Sequence, residues 1–240
     1  MRLVTYNIHK GIGGSDRRYD LDRIVEVLVG LNADFLCLQE VTLDLPRTQR
    51  HDQAGILDQR FDGMQSIFQQ NVKWKVGGYG NMLISRWPMV EHHRVSLRFR
   101  ERKPRGAQWA IVQTPAGSIR LVNWHLGLSQ IERQWQVDHL LRQKRFGETH
   151  SMPSLIAGDF NDWRNLLGKT VLEPGGFKPV ASPPSHFRSF PAVLPVMSLD
   201  KVFVRGPIEV TAAHVVRTKL ARQASDHLPL AVDFELRSAR

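Results

Sequence analysis

Nine short runs rich in β-branched and aromatic residues lie along the 240-residue chain, with only two strongly periodic helical segments among them, and this ratio limits the fold most. The expected strands cover residues 3–8, 35–39, 82–85, 108–114, 118–124, 154–157, 201–204, 209–216 and 230–236. So many strands exceed one small Rossmann unit. The first helix, about residues 20–31, places Ile24, Val27, Leu28 and Leu31 on one face. The second opens on the capping box Ser129-Gln130-Ile131-Glu132 and is expected to bury Ile131, Trp135, Leu140 and Leu141. A weaker third helix is read over residues 57–69 from Phe61, Met64 and Phe68. Strands with helices laid outside them imply an α/β protein of two sheets packed face to face, in one domain spanning residues 1–240.

The sole cysteine, Cys37, sits in the apolar run Phe35-Leu36-Cys37-Leu38 and reads as a small buried hydrophobe in a reducing compartment. The N-terminus enters a strand directly, without the pattern of a signal peptide, and no apolar run reaches membrane-spanning length. A cytoplasmic monomer is the expectation. A formal charge of +10 makes a polyanionic partner, DNA or RNA among them, plausible on electrostatic grounds.

Polar residues fall at strand ends in a way that a plain scaffold does not need. Asn7 ends the first strand, Glu40 the second, His125 a later one, and Asp159 with Asn161 another; Asp226-His227 precede the last, and Asp200 introduces residues 201–204. Strands lying side by side would bring these groups to one edge of the sandwich, where rigid elements can hold them. Taken singly, Asn7 is a turn residue, Glu40 a solvated strand end and each histidine a surface or core group. That plain reading is kept for His9, His51, His92, His93, His139, His150, His186 and His214. The conjunction reverses it for the strand-end set.

No cysteine ligand set, HExxH or nucleophile elbow is present, which argues against structural zinc and acyl transfer. Carboxylates and amides suit Mg²⁺ or Mn²⁺, held by Glu40 with oxygens from Asp159, Asn161 or Asp226. His125 and His227, as imidazolium groups, would stabilise charge on a phosphate ester. Adjacent strand residues point to opposite faces, so a carboxylate other than Asp226 should orient His227, and Asp200 is the expected one. Asp159 is then free to deprotonate an attacking water, with Asn161 on the same side.

The full set of motifs resembles the endonuclease/exonuclease/phosphatase family nearly end to end. They are Thr5-Tyr6-Asn7-Ile8, Leu38-Gln39-Glu40-Val41, the run from Gly80-Asn81 to Arg86, Asn123-Trp124-His125-Leu126-Gly127, Gly158-Asp159-Phe160-Asn161, Leu199-Asp200 and Ser225-Asp226-His227-Leu228-Pro229. The resemblance implies a four-layered α/β sandwich, with two mainly antiparallel sheets inside and helices outside. It also implies metal binding at Glu40, metal and phosphate contact at Asn7, and support of the metal side by Asp226. Asp159 and Asn161 would handle water and phosphate, Asp200 would pair with His227, and His125 would contact phosphate. Asn81 and Arg105 are expected at the substrate.

Departures from family patterns narrow the substrate. Leu199-Asp200-Lys201 stands where inositol phosphatases of the family carry Cys-Asp-Arg, and no counterpart is placed for the catalytic tyrosine of apurinic-site endonucleases. The chain looks closest to compact bacterial members. The basic run from Arg98 to Arg105 and the charge favour nucleic acid; the alternatives are a phospholipid or small phosphoester and, behind these, a silent binding module.

Overall fold

The computed structural model describes residues 1–149, 151–180 and 182–237; His150 lies outside the described residues. Two six-stranded sheets form its centre. One has the spatial order Ile208–Val215 (β11), Leu230–Leu236 (β12), Arg2–Asn7 (β1), Phe35–Leu43 (β2), Gly78–Ser85 (β4), Gln65–Lys73 (β3). The other runs Met89–Ser96 (β5), Gly106–Thr114 (β6), Gly117–His125 (β7), Ser154–Asp159 (β8), Asp200–Arg205 (β10), Lys178–Pro179 (β9). Both sheets are mixed, because each is built round one parallel pair, β1/β2 and β7/β8, with antiparallel neighbours.

A parallel pair needs a helical crossover, which the two periodic segments supply. Leu21–Gly30 (α1) joins β1 to β2, and Gln130–Leu141 (α3) lies between β7 and β8. The Asp20 carboxylate caps α1 by accepting from Arg23 N, and the helix buries Leu21, Ile24, Val25, Val27 and Leu28. Gln53–Arg60 (α2) and Lys219–Ala224 (α5) join α1 outside the first sheet. Lys144–Glu148 (α4) accompanies α3, and Val137, Leu140 and Phe146 pack with Trp109, Trp124 and Ile156 outside the second. Helix, sheet, sheet and helix make four layers.

The facing sheets are joined by side-chain amides as well as by apolar contact. Gln39 Nε2 donates to Asn123 Oδ1 at 2.8 Å, and Asn123 Nδ2 donates to Gln108 Oε1 at 3.1 Å and to the carbonyls of Leu38 and Met82. Asn81 Nδ2 reaches the Gly106 carbonyl at 2.9 Å. These groups are buried, so each unmade bond would cost roughly 1–3 kcal/mol, and the network sets how the sheets register.

Two sequence expectations change, and one strand forms where none is expected. The third helix stops at Arg60, the chain turns at Gly63 with φ +82°, and Met64 and Phe68 belong to the turn and to β3. Pairing with β4 overrides the i, i+3, i+7 pattern there. β5, with the polar sequence Met89-Val90-Glu91-His92-His93-Arg94-Val95-Ser96, forms at an edge, where only alternate residues face inward. In α3, Ile131 is 72% and Trp135 36% exposed, and the helix instead buries Glu132, Arg133, Gln136, Val137 and Leu140. The polar residues hold the segment after β7: Gln136 Oε1 accepts from Gly127 N at 2.8 Å, and Arg133 Nη1 donates to the Leu128 carbonyl at 2.6 Å.

Lys201 in β10 is buried, and its ammonium donates to the carbonyls of Asp162 and Ser198. Burial pulls its pKa from 10.5 down to about 8, against the attraction of Asp162, Asp200 and Asp159. Between those pH values the unfolded chain holds a proton that the native chain has released, so stability rises with pH across the window, by roughly 1–3 kcal/mol. Urea midpoints of the parent should therefore climb between pH 8 and pH 10 relative to those of Lys201→Met. Parallel pH profiles for the two proteins would show that Lys201 titrates normally.

Candidate active site

Three ends of the parallel strand pairs, those of β1, β7 and β8, meet across the sandwich. Asn7, closing β1, donates through Nδ2 to Asp159 Oδ2 at 3.0 Å, and Asp159 closes β8. His125, closing β7, has Nε2 at 3.4 Å from that same oxygen, and His227 Nε2 lies 3.8 Å from it. The other oxygen, Oδ1, accepts from Asn161 N at 2.9 Å. His227 Nδ1 sits 2.8 Å from Asp200 Oδ2, which also accepts from Ser189 Oγ at 2.5 Å. Ser225 Oγ donates to the Asn7 carbonyl at 2.7 Å and accepts from His227 N, which ties the segment before β12 to β1.

Glu40 reaches the cleft through a bulge. The β2/β4 register shifts between Gln39 and Val41, and Glu40 takes φ +61°. His9 (φ +45°), Lys10 (φ +63°) and Asn161 (φ +49°) share this sparsely populated backbone region, so strain gathers round the site. Lys10 pairs with Glu40, and its ammonium lies 4.9 Å from the centre of the Tyr79 ring, with Lys103 at 5.2 Å from that ring. Burial alone would raise the Glu40 pKa; the charge and hydrogen bond of Lys10 outweigh it and bring the carboxyl below its ordinary range. Asp226 lies 3.7 Å from His9 Nδ1, and its Oδ1 is buried with no hydrogen-bond partner.

The two histidines differ in charge. Burial and then the Arg105 guanidinium hold His125 well below the ordinary imidazole pKa. Arg105 Nη1 lies 2.9 Å from His125 Nε2, and since guanidinium only donates, that nitrogen accepts and the ring is neutral. For His227 burial works downward, but Asp200 and Asp159 together raise the pKa and keep an imidazolium. Asp159 is raised, by burial first, with Asp200 adding to the effect against the pull of His227. The expected pair of imidazolium groups is thus one imidazolium and one imidazole backed by an arginine.

The expected residues divide accordingly. Asn7, His125, Asp159, Asn161, Asp200 and His227 form one connected cluster, with Arg105 joined through His125. Glu40 and Asp226 approach from the Lys10 and His9 side. Asn81 is buried, and its amide is spent on Gly106, so it positions the strand next to Arg105. His9, which the sequence alone gives as a plain surface or core group, and Lys10, which no motif singles out, enter the site because Gly11, at φ +72°, lets the chain fold back after Asn7. The signal was available in Ile8-His9-Lys10-Gly11, immediately after the first motif. Ser189 could not have been found from spacing.

This constellation and fold define a phosphoester-processing α/β sandwich, and the chain belongs to the endonuclease/exonuclease/phosphatase family, whose sequence model matches residues 4–227. Among characterised folds it is similar to an endonuclease/exonuclease/phosphatase of Beutenbergia cavernae DSM 12333, with a TM-score of 0.79 and 22% identity over 98% of this chain and 71% of that one. It is also similar to the mannosyl-6-phosphatase of Bacteroides thetaiotaomicron VPI-5482, at TM-score 0.76 and 18% identity over 98% and 100% of the two chains. In sequence it is 28% identical to the uncharacterized protein YbhP of Escherichia coli strain K12, over 98% of this chain and 96% of that protein.

Proposed function

We propose that the chain is a divalent-metal-dependent phosphoesterase in which Asp159 accepts a proton from the water that attacks phosphorus. One observation carries this reading: a buried carboxylate of raised pKa stands within 3.8 Å of an imidazolium and 3.4 Å of an imidazole. A raised carboxylate is a better proton acceptor near neutral pH than an ordinary one. Asn7 and the Asn161 N–H fix both of its oxygens. As the water oxygen bonds to phosphorus and the ester oxygen departs, negative charge grows on the phosphoryl oxygens. His227, held charged by Asp200, and Arg105, anchored on His125, are the cations placed to stabilise it.

The donor set fits Mg²⁺ or Mn²⁺. Glu40 and Asp226 offer hard carboxylate oxygens, one of them a buried atom without a partner, and Asn7 has a lone pair left beyond the bond from His9 N. Among the described residues no group of three or more His, Cys, Asp or Glu side chains is drawn into a ligand cage, so waters and phosphate oxygens would complete the shell. Bound there, the ion would neutralise charge on the phosphoryl group.

The charge of +10 and the loop from Arg98 to Arg105 favour a polyanion such as nucleic acid as substrate. Phospholipid is the second reading, favoured by the exposed apolar rim described below. Bis-p-nitrophenyl phosphate should be hydrolysed with Mg²⁺ or Mn²⁺ and not in EDTA, and His227→Ala should lower turnover about 10²–10³-fold. Undiminished hydrolysis in EDTA would remove the metal from the proposal.

A further inference from the structure

Several exposed large apolar side chains lie on segments that adjoin the cleft. Leu128, Trp163, Val193, Leu194 and Val196 are between 48% and 71% exposed. Contacts between their segments join them into one rim. The Arg133 guanidinium bonds the Leu128 carbonyl and lies 5.1 Å from the Trp163 ring. Lys201 binds the carbonyls of Asp162 and Ser198, which brings the segment carrying Trp163 beside the one carrying Val196. The rim adjoins the site: Leu128 follows His125, Trp163 follows Asn161, and the Phe190 ring lies 4.8 Å from that of His227.

The loop with Val193, Leu194 and Val196 is held, not loose. Val196 N and Met197 N both donate to the Phe190 carbonyl, Ala192 N donates to the Asp226 carbonyl at 2.7 Å, and Arg222 grips the carbonyls of Ala192 and Val193. Single exposed apolar residues are ordinary, whereas a braced apolar rim beside a polar cleft marks an interaction surface. The surrounding charge is positive: Arg164 follows Trp163, and Arg188, Arg217 and Arg222 surround the base of the loop. Apolar side chains ringed by arginines match a bilayer interface, where apolar insertion and attraction to anionic headgroups act together. A nucleic acid would satisfy the arginines and leave the Leu194 tip in water.

We infer that this rim is a membrane-docking surface that seats the protein on an anionic bilayer, with the Asp159 cleft turned toward headgroup phosphoesters. The headgroup substrate rests on the second, phospholipid form of the phosphoesterase reading above; the docking itself does not.

The test is co-sedimentation of the full chain with vesicles of phosphatidylcholine alone or with added phosphatidylglycerol, beside hydrolysis of soluble bis-p-nitrophenyl phosphate. Binding to the anionic vesicles should be at least about tenfold tighter than to phosphatidylcholine. It should fall about tenfold or more in Leu194→Asp and by less in Leu194→Ser, with soluble hydrolysis unchanged in both. Tryptophan emission should shift blue with anionic vesicles in the parent and less in Trp163→Phe, a readout that needs no loop variant to fold. Vesicle binding equal in parent and Leu194→Asp would overturn the proposal, as would retention on DNA or RNA without vesicle binding. Docking without soluble hydrolysis would uphold the rim and fail the phosphoesterase reading.

Discussion

Asp159→Asn is expected to hydrolyse bis-p-nitrophenyl phosphate about 10²–10⁴-fold more slowly than the parent, with the fold retained. The asparagine keeps the shape of the side chain and can still accept from Asn161 N through its oxygen, while the bond from Asn7 Nδ2 is lost. It cannot take a proton from water. Retention of the fold follows from burial: the carboxylate is desolvated and stands near Asp200, and both effects raise its pKa, so removing its charge relieves part of a strain that the attraction of His227 only partly offsets. The variant also removes one of the three carboxylates that sustain the imidazolium of His227, Asp200 and Asp226 being the others, so the His227 pKa should fall, which NMR titration of the ring reads independently of turnover. Turnover within a factor of a few of the parent would show that another group, or none, receives the proton.

Trp124→Ala should destabilise the protein by about 3–5 kcal/mol, the range for deleting a large aromatic from a packed core. Trp124 is fully buried, meets Phe160 at 5.0 Å in an edge-to-face arrangement, and lies in the core between the second sheet and α3. In a chain of 240 residues that corresponds to a drop in Tm of roughly 6–20 °C. Because neighbouring strand residues face opposite ways, Trp124 buttresses the outer face of the strand that presents His125 to the cleft. A thermal melt of Trp124→Ala within about 2 °C of the parent would mean that the site collapses readily round the cavity. Trp163 lies at the surface, and its removal should leave the melt nearly unchanged.

Much of the site was legible because its residues come from local grammar. A strand that ends in Asn or Asp, followed by a turn, names its own functional position; the partnership of Asp200 with His227 is expected from a two-residue strand period and is present, although Asp226 and His227 lie in a bend before β12. Parts that depend on long-range pairing were not. The first half of β3 reads as helix and β5 is not read as a strand, because their strand state comes from hydrogen bonds to β4 and β6 and not from their own residues. The buried face of α3 is displaced for a related reason, since Arg133 and Gln136 are drawn inward to satisfy backbone groups of the segment after β7.

The sequence by itself determined the strand-rich architecture, the two crossover helices, the family motifs and the identity of nearly every polar group in the cleft, because periodicity, capping and turn chemistry are written in neighbouring residues. Only the tertiary structure decided which histidine carries charge. His125 and His227 are both buried imidazoles, and what separates them is that one faces Arg105 and the other faces Asp200 and Asp159, each brought up by a different strand. Electrostatic energy depends on distance through space, and residues remote in sequence set that distance only once the two sheets have packed.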